Sequence, residues 1–163
     1  MQFVTRYFNA ERAESLLFMA VGVAAVSLAW WLMHGRPGAF SKGIAYPLIA
    51  VAAIQLTVGI GIFLRSPADI ERVSAMLVDA PHIASAEIPR MAKVMRNFVL
   101  YRYLETTLLV AGVGLLLFAR AWPWWHGVGL GLATQAGLML VLDLFAEARG
   151  EIYLTALRDL IGQ

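Results

Sequence analysis

Gln55 and Gln135 each sit deep inside a long run of uncharged residues, and Glu105 and Asp143 stand at the margins of two such runs. A primary amide in hydrocarbon must find a hydrogen-bond partner, so the glutamines either bond across helices or line a path for a ligand or ion. A carboxylate at that depth pairs with an arginine or, desolvated, exchanges protons as part of a carrier or channel. Glu14, Arg65, Arg102 and Glu147 lie near the same end of the runs and have the makings of an ion-pair cluster that pins helix ends. His34 and His126 are the residues closest to a metal-ligand pair. They lack the further ligands and spacing that a haem or copper site needs, so they read as interfacial residues, with no metal and no cofactor expected. His82, beside Pro81, reads as a loop residue.

The chain has no cysteine, which removes disulfides, thiolate catalysis and iron-sulfur ligation. It contains no HExxH, nucleophile elbow, phosphate-cradling glycine loop or dinucleotide fingerprint. These absences lean against an enzyme, although a lipid- or quinone-acting site built from Glu, Arg and Tyr stays open. A net charge of +2 without a basic, aromatic-interleaved patch gives no reason to expect nucleic acid.

The elements that hold these residues follow from composition. Of 163 residues, 60% are hydrophobic and 15% charged, a membrane composition. Uncharged runs cover Ser15–Gly35, Gly43–Leu64, Thr106–Ala119 and Ala121–Leu142. A helix needs roughly 20 residues to cross a hydrocarbon core of about 30 Å, and all but the third run reach that length. The third borrows Tyr101–Glu105, whose long side chains reach the interface.

The expected fold is all-α, one membrane domain of four transmembrane helices in two hairpins, 14–64 and 101–146. A cytoplasmic amphipathic linker, 65–100, separates them, and a cytoplasmic C-terminal helix, 147–163, ends the chain. Residues 1–13 read as a brief interfacial helix, and the second span as starting near Ile44 or Tyr46 with Pro47 in its first turn. In the linker Ser66 reads as an N-cap with Pro67 in the first turn. Ile70, Val73 and Leu77 form an apolar stripe opposite Asp69, Arg72 and Asp79, Pro81 ends this piece, and a second begins near Ser85. Arg90, Lys93 and Arg96 on that second piece suit an anionic lipid surface.

All lysines and arginines except Arg36, Lys42 and Arg120 fall on the side of the termini and linker. By the positive-inside rule that side is cytoplasmic, and in a bacterium the membrane is the inner one. Trp30, Trp31, Trp122, Trp124 and Trp125 mark the opposite interface.

Two constant offsets suggest a duplicated hairpin. One lays Glu14, Leu17, Ala20 and Trp31 on Glu105, Leu108, Ala111 and Trp122, and the other lays Gln55, Ala68 and Glu71 on Gln135, Ala148 and Glu151. The leading functional expectation is a non-enzymatic membrane component whose cytoplasmic helices bind a protein partner or anionic lipid, through Ile70, Val73, Leu77, Arg90, Lys93 and Arg96. The alternatives are an oligomeric proton or cation channel or carrier using Gln55, Gln135, Glu105 and Asp143, and a lipid- or quinone-site protein. Small-residue repeats such as Gly127 and Gly131 also admit a homo-oligomer.

Overall fold

A computed structural model describes residues 2–78 and 80–162. Among them all regular structure is helical: α1 Gln2–Gly35, α2 Ala39–Met76, a short turn of helix α3 Ala80–His82, a π-helical segment Ile83–Glu87, α4 Ile88–Phe118 and α5 Pro123–Leu160. The four long helices are each long and apolar enough to cross a membrane. The chain is a multi-pass membrane protein, and it carries its large hydrophobics outward accordingly: Leu16, Val23, Ile54, Val110, Leu117 and Phe145 are all exposed. In water such a surface would aggregate; against lipid tails it is the favourable one.

The helices run through several expected breaks. α1 is continuous from Gln2, so no separate interfacial helix precedes the first span. α2 starts at Ala39 rather than near Ile44 or Tyr46, which places Pro47 in its third turn, where it packs beside Gly131 of α5. Nor does α2 restart at Ser66 and Pro67. The Ser66 hydroxyl turns back to donate to the Ile62 carbonyl at 2.7 Å instead of capping forward. An internal proline costs a helix about 3 kcal/mol. Beyond it the continuation is held by the burial of Val73 and by Asp69, which receives Arg72 at 2.9 Å and Arg65 at 3.8 Å. α2 ends at Met76, before Pro81, which falls inside α3. The helix into the third span starts at Ile88, after the π-helical segment. Asp79, expected on the polar side of the linker, lies outside the described residues.

α1 packs along α2, α4 along α5, and α2 and α5 meet through the centre. Glycines permit these approaches: a Cβ added at Gly112 of α4 would stand 2.6 Å from the Ala133 nitrogen, and one at Gly131 of α5 would stand 2.7 Å from the Ile44 carbonyl oxygen. Two cores result. At the tryptophan-rich end Ala25, Ala29, Ala45, Leu48 and Ala52 pack mostly small side chains. At the end that holds the termini Val4, Phe8, Val73, Ile83, Met91, Tyr153 and Leu157 make a larger core, joined by Ile70 and Leu77.

Candidate functional site

α1 and α4 scarcely touch along their lengths, because each lies against its own partner and the partners meet in the middle. Near the termini α1 does reach α5, where the Tyr7 and Tyr153 rings stack with centroids 4.1 Å apart and Glu14 pairs with Arg149. Between the two helix pairs this leaves a cleft of about 830 Å³, within the roughly 300–1,000 Å³ range of small-molecule sites.

The cleft is chemically two-ended. Leu17 and Phe18 of α1, Val51, Ile54 and Val58 of α2, Leu108 of α4 and Leu132 and Met139 of α5 line its apolar part. Towards the termini its lining includes Tyr7, Glu11, Glu14, Arg65, Asn97, Tyr101, Glu105, Asp143 and Arg149. Comparison with protein families, curated proteins and solved structures finds no match for this chain. The cleft must therefore be read from its own chemistry.

Glu105 is the least screened of its carboxyls. It is 3% exposed, and its Oε2 is buried with no hydrogen-bond partner. Asp143 stands within hydrogen-bonding reach across the α4–α5 contact. Among the described residues neither carboxyl has an arginine or lysine in an ion pair, since the neighbouring cations are engaged elsewhere. Arg102 binds Glu147 and Arg149 binds Glu14. Arg65 binds Glu11 at 3.0 Å and Asp69 at 3.8 Å. Glu14, Arg65, Arg102 and Glu147 therefore form no single cluster. They take part in separate pairs, each tying one helix to a different neighbour.

Gln55 and Gln135 come together: the Gln135 amide donates to the Gln55 carbonyl oxygen at the α2–α5 contact, with both side chains buried. That bond satisfies the Gln135 amide nitrogen and the Gln55 oxygen, while Gln55 Nε2 is left without a partner. Cleft-lining residues come from every long helix, but the glutamine pair is outside the lining.

The linker residues divide. Lys93 and Arg96 are exposed, whereas Arg90 turns inward to Glu87 at 2.6 Å. Val73 is fully buried, with Ile70 and Leu77 packed against the same core. His34 Nδ1 donates to the Trp30 carbonyl at 2.9 Å and the ring stacks on that of Trp30, while His126 stacks on Phe40. His82 is exposed. Among the described residues no group of three or more His, Asp or Glu converges as a metal site.

Sequence reasoning missed Glu87 and Glu11. Glu87 has no exposed surface and gathers Arg90, Arg72 at 3.3 Å and the Tyr153 hydroxyl at 3.2 Å. Its spacing of three from Arg90 was a usable signal. Glu11 stands three residues before Glu14 on α1, but only the tertiary fold brings Arg65 to it.

Proposed function

We propose that this protein holds a membrane amphiphile, a lipid or an isoprenoid quinone, in the cleft between its helix pairs. The cleft itself carries the reading: it has the volume of a ligand site, apolar walls, and polar groups gathered at one end. Between membrane helices such a space admits a hydrocarbon chain from the side, with a headgroup among Tyr101, Asn97 and the charged residues. The bond between Gln55 and Gln135 favours a cementing role for that pair over a conducting one.

The same reading takes the chain as two helical hairpins with the termini in the cytoplasm, at the inner membrane in a bacterium. The excess of lysine and arginine at the terminal end supports that orientation. A duplicated hairpin gains support from Gln55 and Gln135, which match under one sequence offset and also meet in space. Exposed Lys93 and Arg96 beside the cleft's polar end suit anionic headgroups. Ile70, Val73 and Leu77 serve the protein's own core in this account, so a protein partner would have to dock elsewhere.

Gly61 offers the test. It lines the cleft, and a Cβ added there meets nothing within 4 Å, so Gly61→Trp fills the space from a tolerant position. Protein purified in a mild detergent should carry lipid or quinone in native mass spectra, and Gly61→Trp should lose it. Gly114→Trp, at an equally open glycine outside the cleft lining, should retain it. A clean wild-type spectrum, or identical retention by both variants, would overturn the proposal.

A further inference from the structure

Glu105 and Asp143 both line the polar end of the cleft, with no cation paired to either among the described residues. The structure has placed arginines close by on both helices that carry them, yet each is spent on another acid: Arg102 on Glu147, Arg149 on Glu14. One oxygen, Glu105 Oε2, is removed from solvent with nothing donating to it, on a side chain that is 3% exposed and lines the cleft. A second oxygen in the same lining, Glu11 Oε2, is likewise buried and unpartnered, while the other Glu11 oxygen takes Arg65. Buried acceptors of this kind are costly until a donor reaches them, and a positively charged donor offsets most.

We infer that the cleft is built for an amphiphile bearing a protonated amine, whose ammonium donates to Glu105 and Asp143 while its hydrocarbon chain lies along Leu108, Leu17 and Phe18. The inference rests on the cleft being a ligand site and adds the headgroup chemistry. An ammonium supplies three donors on a compact charge, matching two carboxyls in one lining better than the single donor of a hydroxyl. The chain then occupies the apolar part of the lining, which comes from all four long helices. Two natural sources share this chemistry: the headgroup of an aminophospholipid, and a free single-chain amine.

The test is equilibrium binding of radiolabelled dodecylamine and dodecanol to the purified full-length protein in a neutral, mild detergent. These probes share a chain and differ in the head. Wild type should bind the amine about tenfold or more tightly than the alcohol, because the amine adds a positive charge and further donors to the single hydrogen bond a hydroxyl can donate. Glu105→Gln and Asp143→Asn should each narrow that ratio, bringing the amine down towards the alcohol. Displacement of dodecylamine by phosphatidylethanolamine but not by phosphatidylcholine of the same acyl chains would assign the aminophospholipid as the source. Failure of both to displace it would assign a free amine.

Equal binding of amine and alcohol by wild type, with both lost in Gly61→Trp, would overturn the amine inference and leave the amphiphile cleft standing. If wild type bound neither probe and carried no lipid, both readings would fall. The wild-type comparison needs no substitution, so a variant that failed to fold would not shelter the inference.

Discussion

Glu87 is held from three directions, by guanidinium groups of Arg72 and Arg90 and by the Tyr153 hydroxyl, and it has no exposed surface. These contacts join α2, the π-helical segment, α4 and α5 at one carboxylate. Removing the carboxylate leaves Arg90 without its ion-pair partner, while Arg72 keeps Asp69, whereas removing the hydroxyl costs one neutral donor. Glu87→Ala should therefore lower stability by about 3–5 kcal/mol, the scale for breaking one side of a buried ion pair. Tyr153→Phe should cost about 1–2 kcal/mol, because a hydrogen bond to a charged group is lost while the ring stack on Tyr7 remains. Thermal unfolding in detergent measures both, and equal losses would show that Glu87 is not the keystone of this end. The sequence made the Glu87–Arg90 spacing visible. Arg72 and Tyr153 lie 15 and 66 residues away along the chain, and only tertiary folding reveals them.

The long helices were legible because three apolar runs are long enough to span a bilayer and the remaining one reaches that length with Tyr101–Glu105, but their ends were not. Proline and serine signal helix starts in water, where a broken helix can recruit solvent. Here Ser66 bonds backwards to Ile62, and packing of Val73 carries α2 past Pro67. The contact faces were only partly legible. The small-residue spacing of Gly127 and Gly131 does mark the α5 face that meets α2, since a Cβ at either would collide with backbone of Phe40 or Ile44. Gly112→Leu should likewise drive α4 and α5 apart, because its added Cβ meets Ala133 and Gly129 backbone that cannot yield. Gly114→Leu, two residues on and open, should be near neutral or gain up to about 1 kcal/mol from helix propensity. Melting temperatures of the two variants decide it: comparable values would mean that the α4–α5 contact tolerates separation and that Gly112 has no packing role.

At the scale of the molecule, the cleft was beyond reach of the sequence for a physical reason. In a soluble protein, apolar periodicity separates inside from outside, but lipid tails are as apolar as a core, so Leu108 facing the cleft and Leu117 facing outward read alike. What the sequence does carry at this scale is charge, and charge sets orientation. Ten of the thirteen lysines and arginines crowd the terminal end, leaving Arg36, Lys42 and Arg120 at the other. If that asymmetry governs insertion, the polar end of the cleft faces the cytoplasm, and its ligand's headgroup belongs to the inner leaflet. The natural absence of cysteine allows a direct measurement. Single cysteines at Gly38 and Ala121, in the two exposed turns at the tryptophan-rich end, should react with a membrane-impermeant maleimide in intact cells. A cysteine at Val78, which is 92% exposed at the other end, should react only after permeabilisation. The reverse pattern would turn the protein over and move the headgroup site to the outer leaflet. Labelling of all three in intact cells would mean mixed insertion, and the charge asymmetry would then not be what orients the chain.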